Sequence, residues 1–411
     1  MSNPPIPNAH TGTRSTSLDE ALAHDLDVLR RAGLLRALPT IGRRDGARIT
    51  VDGRDLVDFA SNDYLGLATH ARLAHAIVHA LPATGVGAGA ARSIAGNHPL
   101  HEELERELAR RKHAEAALLF PSGFSANAGV IPALVGRGDV IYSDTLNHAS
   151  IIDGCRLSRA TVRAFEHCDA GALAEMLASE RRAYRRCLIV VEGVYSMDGD
   201  LCPLGPLVEL AREHEAWLYV DDAHATGVLG ATGAGSAEHA GVEGTVDITM
   251  GTLGKALGCA GAFVAGSATL REFLLNRART FVFTTGSPPA LAAAALAALR
   301  LLDAEPWRRE RLLANAARLR ERLAPMGITA APGAPGHIVP IRLGAAGRAV
   351  QAGRALRERG FLVGVVRPPT VPMGSARLRV TLSARHTEEQ IDRLADALRA
   401  VIDATQGGEA A

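Results

Sequence analysis

The sequence is poor in lysine: among its 45 Lys and Arg residues, Lys112 and Lys255 are the two lysines. Lys255 lies in the glycine-rich stretch 247–258. A primary amine can form a Schiff base with an aldehyde and then act as a base, which a guanidinium does not do at ordinary pH. Considered alone, Lys255 is best interpreted as a surface lysine, so its role has to be judged from the rest of the chain.

The sequence also lacks a long apolar run, a strong net charge and a paired cysteine pattern. No run reaches the length of a membrane span without a charge or a glycine, and the polar N-terminus has no apolar signal-peptide core. A net charge of +1 without a basic tail gives no positive electrostatic field that would attract nucleic acid. The five cysteines form no C-x-x-C pair, which is typical of a reducing cytosol rather than a disulfide framework. We therefore expect a cytoplasmic protein with no membrane or nucleic-acid partner.

Short apolar runs alternate with helical stretches between residues 116 and 265. The helical stretches include 125–135, 170–182 and 205–214. This alternation predicts an α/β fold with a mostly parallel central sheet that is covered by helices on both faces. The runs expected to be strands are 117–120, 140–142, 161–165, 188–191, 217–220, 246–250 and 262–265.

Outside this region, local sequence signals predict two helices and a hairpin. After a polar tail at 1–16, Ser17 begins a capping box, and apolar positions continue at helical spacing toward Pro39. Asp52-Gly53 predicts a hairpin turn. Asn97 predicts the cap of a helix that begins near Pro99.

The C-terminal part of the chain predicts a small α/β domain after a Pro/Gly break at 332–336. Strands are expected at 338–342, 361–366 and 377–381, and helices at 347–359 and after the capping box at 387–390. We expect three units, which are a tail, helix and hairpin arm at 1–60, a large domain at 61–290 and a small C-terminal domain at 291–411.

Polar segments follow five of the expected strands. In open parallel sheets, ligands bind beyond the carboxyl ends of the strands. Side chains with possible catalytic roles therefore lie at the same edge of the sheet after several strands. Loop composition alone does not easily explain this common placement. The segments are 121–124, 143–148, 192–196, 221–224 and 251–255.

Two of these segments suit a charged ligand. Ser122-Gly123-Phe124 opens a helix, whose amides and dipole favour a phosphate, although a plain helix cap explains it equally well. Asp221 ends a buried strand, and a buried carboxylate needs a cationic partner such as a protonated heterocycle nitrogen. A structural ion pair is the commoner explanation of such a carboxylate in general.

The two strand-end histidines do not predict a metal site. His148 alone is best interpreted as a packed or surface histidine, and His148 with His224 lacks a third ligand at metal spacing. A lysine, a phosphate cradle and a strand-end carboxylate together fit pyridoxal 5'-phosphate (PLP), which needs a Schiff base, a phosphate anchor and a partner for its pyridine nitrogen. The residues alone thus predict a cytosolic α/β enzyme that uses PLP.

Eight segments, in order over nearly the whole chain, resemble the α-oxoamine synthases, a family of fold-type I PLP enzymes. The resemblance implies that fold, with PLP bound by the large domain at 61–290. One departure is Cys168, which stands where the family pattern has Asn and which we interpret as a neutral exchange. The segments are 58–67, 93–101, 142–154, 192–200, 220–227, 251–258, 283–285 and 377–383.

The resemblance implies a role for each matching residue around the cofactor ring. Lys255 would form the Schiff base and move the Cα proton of the substrate. His148 would stack on the ring, and Asp221 would pair with the pyridine nitrogen. His224 and Ser196 would contact the side of the ring that carries the hydroxyl.

The resemblance further implies a phosphate site that is shared between two subunits. Gly123, Phe124 and Thr252 would lie around the phosphate. Thr284 and Thr285 would reach the phosphate of the neighbouring subunit, which implies a homodimer with its active sites at the interface.

The implied substrates are an amino acid and an acyl thioester. Arg379 would bind the amino acid carboxylate, and Arg36 or a near neighbour would lie toward the acyl group. The resemblance is greatest to family members of biotin synthesis, which implies L-alanine, pimeloyl-CoA or a pimeloyl carrier protein, and release of CO2. Sister enzymes that join glycine to acetyl-CoA or succinyl-CoA share the same catalytic set. An aminotransferase, or a PLP-fold protein without activity, is a more distant alternative.

Overall fold

The structure is a computed structural model that describes residues 17–328 and 336–406. The expected tail at 1–16 and residues 332–335 of the expected Pro/Gly break lie outside the described residues. The helices of the described part are α1 (Leu18–Arg31), α2 (Ala71–Thr84), α3 (Pro99–Arg111), α4 (Gly123–Leu134), α5 (Ala149–Ser158), α6 (Ala170–Glu180), α7 (Leu204–Glu213), α8 (Ser236–Ala240), α9 (Ala268–Arg277), α10 (Arg279–Val282), α11 (Pro289–Ala304), α12 (Trp307–Leu323), α13 (Ala346–Glu358) and α14 (Glu388–Gln406). The strands are β1 (Ile41–Asp45), β2 (Arg48–Val51), β3 (Arg54–Phe59), β4 (Ala116–Phe120), β5 (Val140–Asp144), β6 (Thr161–Phe165), β7 (Cys187–Glu192), β8 (Trp217–Asp221), β9 (Ile248–Thr252), β10 (Ala262–Gly266), β11 (Ile338–Gly344), β12 (Phe361–Val366) and β13 (Ala376–Thr381).

A seven-stranded sheet with the order β4-β10-β9-β8-β7-β5-β6 forms the larger of two sheets. Strands β9, β8, β7, β5 and β6 run parallel to one another, and β10 runs antiparallel to β4 and β9. The mostly parallel sheet expected from the sequence is confirmed. Its order places the carboxyl ends of β5, β7, β8 and β9 close together, so the segments that follow them meet at one edge.

The central strands are buried on both faces, as their continuous apolar runs require. In β7, Leu188 and Val190 pack into one apolar cluster, whereas Ile189 and Val191 pack into another. Successive side chains of a strand point to opposite faces, so a strand between two helical layers has no solvated face. Within the described ranges, no helix combines the length and the apolar character needed to cross a membrane.

A second, six-stranded sheet has the order β1-β2-β3-β12-β13-β11. Strands β2 and β3 form the hairpin expected at Asp52-Gly53, with Val51 opposite Arg54. Strand β3 then pairs in parallel with β12, with Val57 opposite Phe361. The N-terminal hairpin thus completes a sheet whose other strands come from the C-terminal part. The three-unit division at 60 and 290 stays a prediction.

Two helix boundaries differ from the expectation. Helix α1 begins at its Ser17 cap but ends at Arg31 instead of continuing toward Pro39, because Gly33 adopts a left-handed φ of 67°. The cap of α3 is His98, whose ring accepts a hydrogen bond from the Leu100 amide, and not Asn97. The side chain of Asn97 is used elsewhere, because it binds a neighbouring arginine and glutamate of the same segment.

Candidate active site

Lys255 lies at the centre of the candidate site, in the turn after β9. Its Nζ is 2.8 Å from Nε2 of His224, and Nδ1 of His224 is 2.6 Å from the Tyr64 hydroxyl. Burial lowers the pKa of Lys255 to about 8, although Asp221 and Glu192 act to raise it. Burial, aided by Lys255, also holds the pKa of His224 well below its usual value. A neutral imidazole therefore faces an amine that loses its proton readily, as a nucleophile or base must.

Asp221 is a buried carboxylate at the end of β8. Its Oδ2 accepts a hydrogen bond from Nδ2 of Asn127 at 2.8 Å, and its Oδ1 accepts one from the Ala223 amide at 3.0 Å. Asn127 is held in turn by the Tyr219 hydroxyl at 2.6 Å. Burial raises the pKa of Asp221, and Lys255 opposes that effect. These hydrogen-bond donors are neutral, so the carboxylate is arranged to receive a cation from a ligand.

Glu192 is a second buried carboxyl group, which the sequence analysis did not assign. It ends β7, where its Oε2 accepts a hydrogen bond from the Ser196 amide at 3.3 Å, and its Oε1 has no partner among the described residues. Burial, together with Asp221, raises its pKa well above the usual value. The strand-end rule that identified Asp221 applies equally to Glu192, so a signal for it was present in the sequence.

Ser196 and Arg379 join the two sheets at the site. Arg379 of β13 donates from Nε to the Ser196 carbonyl at 2.6 Å and from Nη1 to Asn62 at 3.1 Å. Its Nη2 lies 3.5 Å from the Tyr64 hydroxyl. Sequence reasoning missed Asn62 and Tyr64, although both lie in the segment 58–67, because their partners are far away along the chain.

His148 is exposed at the N-terminus of α5, and a short network sets its orientation. Its Nδ1 accepts from the Ser150 amide at 3.2 Å and lies 2.8 Å from the Ser150 hydroxyl. That hydroxyl accepts from Asn127, the residue that also holds Asp221. The hydroxyl therefore has its proton left for His148, which places the ring proton on Nε2. The exposed ring is thus fixed relative to Asp221, with a face open to a ligand.

The start of α4 presents amide groups as the sequence predicts. The Ser122 hydroxyl caps the helix by accepting from the Ser125 amide at 3.1 Å, and Ala126 makes the first bond back along the helix, to the Ser122 carbonyl. The amides of Gly123 and Phe124 precede that first helical bond, so they are suited to an anion.

Thr252 supports the turn that carries Lys255. It is buried at the end of β9, where its hydroxyl donates to the Gly261 carbonyl at 3.1 Å and accepts from the Gly254 amide at 3.2 Å. The hydroxyl thus links the two sides of the turn. Its expected contact with a phosphate stays a prediction.

Three of the expected site residues lie apart from the Lys255 cluster. Thr284 and Thr285 follow α10 and line a small cavity together with Arg92 and His101. Arg36 is exposed, and its Nη2 donates to the Thr370 hydroxyl at 3.2 Å. Among the hydrogen bonds and ion pairs of the described residues, none joins these three to Lys255. Their expected roles toward a partner subunit and an acyl group stay predictions.

A separate cluster of ligand-type side chains lies beside the site. Asp144, His167 and Cys168 have possible ligand atoms within 4.8 Å of one another. His167 Nδ1 is 2.9 Å from Asp144, and its Nε2 is 2.5 Å from Asp200. Burial alone would lower the pKa of His167, but the hydrogen bonds to the two carboxylates raise it to about 12. Both ring nitrogens are engaged, so we interpret the cluster as an ion pair network.

The arrangement around Lys255 fits PLP. PLP presents an aldehyde, a pyridine nitrogen that can hold a proton, a ring hydroxyl and a phosphate. The Lys255 amine suits the aldehyde, Asp221 suits the protonated nitrogen, and the amides at Gly123 and Phe124 suit the phosphate. The unpartnered oxygen of Glu192 indicates that a ligand completes the hydrogen bonding of the site.

Comparison with known proteins extends over nearly the whole chain. Residues 54–398 match the family model described as aminotransferase class I and II. A relative from Anaeromyxobacter dehalogenans, an 8-amino-7-oxononanoate synthase, is 53% identical over 378 residues, which is 92% of this chain and 94% of the relative. A serine palmitoyltransferase from S. paucimobilis, solved with a PLP–myriocin aldimine, has a TM-score of 0.89 and 30% identity over 94% of this chain and 98% of its own.

A solved 8-amino-7-oxononanoate synthase from Francisella tularensis has a TM-score of 0.73 and 30% identity over 85% of this chain and 98% of its own. The matched residues run from β3 into α14, so the likeness includes most of both sheets and every segment around Lys255. The chain therefore belongs to the aminotransferase class I and II family of PLP-dependent enzymes, in the α-oxoamine synthase group of its 8-amino-7-oxononanoate synthase relatives.

Proposed function

We propose that the protein is a PLP-dependent acyltransferase of biotin biosynthesis. It joins L-alanine to the acyl group of pimeloyl-CoA, or of a pimeloyl carrier protein, and yields 8-amino-7-oxononanoate, CO2 and the free thiol. A bond forms between the alanine Cα and the acyl carbon, while the thioester bond and the bond to the alanine carboxylate break. The observation that carries the proposal is the buried Lys255 amine, whose Nζ lies 2.8 Å from Nε2 of His224 and whose pKa burial lowers to about 8.

The residues around Lys255 are suited to hold PLP in a fixed orientation. Asp221 would face the ring nitrogen, His148 would cover the ring, and the amides of Gly123 and Phe124 would hold the phosphate. When bound, PLP supplies an aldehyde for amines and a ring that withdraws electron density from the substrate Cα. The buried Asp221 carboxylate favours a protonated ring nitrogen, which strengthens that withdrawal.

Lys255 is suited to move the Cα proton of the substrate. As a neutral amine it accepts this proton at Nζ, and as an ammonium it returns a proton to the product. A pKa of about 8 lies close to the operating pH, so neither transfer is strongly uphill. The ring of His224, 2.8 Å away, holds the amine in place. Because the ring is neutral, it adds no second positive charge beside the ammonium form of Lys255.

Arg379 is the residue best placed to bind the amino acid carboxylate. It is buried among Ser196, Asn62 and Tyr64, and its positive charge acts on the pKa values of both Lys255 and His224. Among the described residues, its Nη2 has only a long 3.5 Å contact with the Tyr64 hydroxyl, so that nitrogen is suited to donate to a carboxylate. We assign Arg36 to the acyl substrate as part of the same proposal.

We also propose that the protein works in the cytoplasm as a homodimer. Its five cysteines are free, which suits a reducing compartment. Phe283, next to Thr284, is 72% exposed, and the side chain of Phe124, whose amide is assigned to the phosphate, is 51% exposed. Burying such aromatic side chains between subunits is the usual way to remove them from water. Thr284 and Thr285 would then serve the site of the partner subunit.

The visible absorption of the purified protein tests the proposal. With PLP added, we expect a yellow band that Lys255→Ala lacks, that L-alanine perturbs, and that changes transiently when pimeloyl-CoA follows. A response to glycine alone would favour a sister synthase. A response to L-serine with a long-chain acyl thioester would favour the activity named for the S. paucimobilis structure. A protein that stays colourless with PLP would contradict the proposal.

A further inference from the structure

Lys112, the other lysine of the chain, follows the C-terminal end of α3, and its side chain is buried. Its ammonium bonds Oδ2 of Asp222 at 2.5 Å, the Ala234 carbonyl at 2.5 Å and the Thr226 hydroxyl at 2.8 Å. The side chains of Lys112 and Asp222 are 5% and 2% exposed. An ammonium has three N–H groups, so the three acceptors use its whole donor capacity.

Asp222 connects this ammonium to two further segments. Its Oδ1 accepts from the amide of Ser236 at 3.0 Å and from the hydroxyl of Ser236 at 2.5 Å. Its carbonyl accepts from the amides of Ala225 and Thr226. Lys112 and Asp222 together therefore fix the turn 222–226 to the end of α3 and to the start of α8.

That turn contains one residue of the candidate active site, His224, and directly follows another, Asp221. Asp221 immediately precedes it, and the amide of Ala223 donates to the Asp221 carboxylate. His224 lies between the two residues of the turn that bond Lys112. A shift of the turn would therefore change the 2.8 Å contact between His224 and Lys255.

The space around the ammonium explains why this position holds lysine in a chain in which nearly every other cation is arginine. Gly235 adopts φ 118°, and a Cβ built on it would lie 1.8 Å from Oδ2 of Asp222 and 2.8 Å from Nζ of Lys112. Backbone thus closes directly around the ammonium. A planar guanidinium is larger and directs its donors in a fork, so it cannot reach the same three acceptors in this space.

We propose that Lys112 is a positioning residue that sets the placement of Asp221 and His224 through the turn 222–226. The inference rests on the proposed function, because that function gives Asp221 and His224 their roles toward PLP. It assigns no contact with substrate or cofactor to Lys112 itself.

The test compares Lys112→Met with Arg111→Met as a matched control. Arg111 is also a buried cation at the end of α3, with its side chain 5% exposed, but it bonds the Thr232 carbonyl and Asp303 rather than Asp222. Both variants remove a buried positive charge at neighbouring positions of one helix. Only Lys112→Met removes the contact with the turn 222–226.

Two readouts separate positioning from general stability. In the cofactor-free protein, hydrogen exchange of the amides at 222–226 should become faster in Lys112→Met and stay unchanged in Arg111→Met. In the PLP-loaded protein, Lys112→Met should shift the pH at which the visible band titrates and lower kcat on the order of 10- to 100-fold, with KM nearly constant. Arg111→Met should lower the unfolding temperature and leave the band and kcat within about twofold.

Lys112→Arg keeps the experiment decisive if Lys112→Met does not fold. It retains the charge and can still pair with Asp222, so a purely structural ion pair would be rescued, whereas a positioning role that needs all three acceptors predicts that the shifted band and the lower kcat persist. The inference is overturned if the lysine variants match Arg111→Met in exchange, band and kcat. If the wild-type protein binds PLP and the lysine variants behave like Arg111→Met, only this inference is refuted. If the wild-type protein shows no PLP band, the proposed function is refuted.

Discussion

Lys255 gives up its proton more easily than an ordinary lysine because burial opposes its charge, and Asp221 and Glu192 compensate only in part. The same burial raises the pKa values of these two carboxyl groups. The cofactor-free protein therefore keeps three ionisable groups in buried surroundings that disfavour their charged forms. Such an arrangement costs folding free energy and is characteristic of functional sites.

The lowered pKa of Lys255 can be measured without any cofactor, because the chain has two lysines. When the cofactor-free protein is treated briefly with acetic anhydride at a series of pH values, mass spectrometry should show labelling at Lys255 that rises through pH 8 and then levels off. Lys112 should be labelled only after unfolding, because three acceptors hold its ammonium. Labelling of Lys255 that kept rising to about pH 10, as for an ordinary lysine, would show that burial does not lower its pKa.

Asp221→Asn should separate activity from stability. Burial raises the pKa of Asp221, so the folded protein binds the carboxyl proton more tightly than the unfolded chain does, and stability is lost as the pH rises from the unfolded value near 3.8 through the raised folded pKa. The neutral amide lacks this cost, so the unfolding temperature of the cofactor-free variant at pH 7 should equal or exceed that of the wild type. Activity should fall on the order of 10²–10³-fold.

Asp222→Asn is the matched control for that experiment, because it changes the adjacent carboxylate, which is paired with Lys112. It should lower the unfolding temperature. If Asp221→Asn lowered the temperature as much as Asp222→Asn, the interpretation of Asp221 as a strained, ligand-directed carboxylate would be wrong.

Single residues differ in how far the sequence reveals them. Lys255 stands out because lysine is rare in the chain, and Asp221 because it ends an apolar run. Tyr64 carries no local signal, since its importance comes from contacts with His224 and Arg379 that only the fold creates. Lys112 carries no local signal for the same reason, since its three acceptors are distant in the chain.

At the scale of elements, the segment 193–202 after β7 is held from both sheets. Arg379 bonds the Ser196 carbonyl, and Arg377 and Arg342 form ion pairs with Asp198. From the other side, His167 bonds Asp200. The position of Ser196 therefore depends on ion pairs that join the segment to its surroundings.

His167→Gln should remove a pH-dependent part of the stability. The pKa of His167 is raised to about 12, so its contribution is complete below the unfolded value near 6.5 and declines as the pH rises toward 12. Between pH 7 and pH 8, the free energy of unfolding of the wild type, measured with urea, should fall relative to that of the variant by up to about 1.4 kcal/mol. Parallel pH profiles would mean that His167 is not held as a cation.

Element types were predictable where hydrophobic periodicity is strong, as in the strands of the central sheet. Boundaries were predicted less well. The cap of α3 is His98 rather than Asn97, since either side chain can accept the amide bond and the choice depends on which one Arg92 engages. The early end of α1 follows from Gly33, a signal that was present but outweighed by the apolar spacing.

At the scale of the whole molecule, the two sheets meet where the site lies, because Arg379 of β13 reaches Ser196 after β7. The pairing of β3 with β12 joins distant parts of the chain. No local pattern predicts such a pairing, because strand partners are selected by the global packing. The fold class followed from the alternation of elements, whereas the sharing of the second sheet by both ends of the chain did not.

The proposed homodimer makes a prediction about mixed subunits. If Thr284 and Thr285 serve the site of the partner, mixing inactive Lys255→Ala with the double variant Thr284→Ala/Thr285→Ala restores one complete site in each mixed dimer. After subunit exchange, activity should rise to about a quarter of the wild-type value. No gain on mixing, with exchange confirmed by mass spectrometry of the intact dimers, would show that the threonines do not act across an interface.

The most direct test of the account is the release of CO2 from carboxyl-labelled L-alanine by the PLP-loaded protein. We expect release that requires pimeloyl-CoA or a pimeloyl carrier protein, matches the free thiol formed in a one-to-one ratio, and is absent in Lys255→Ala. Release without an acyl thioester, or release that persists in Lys255→Ala, would contradict the assignment of Lys255 as the residue that moves the Cα proton in an acyl transfer.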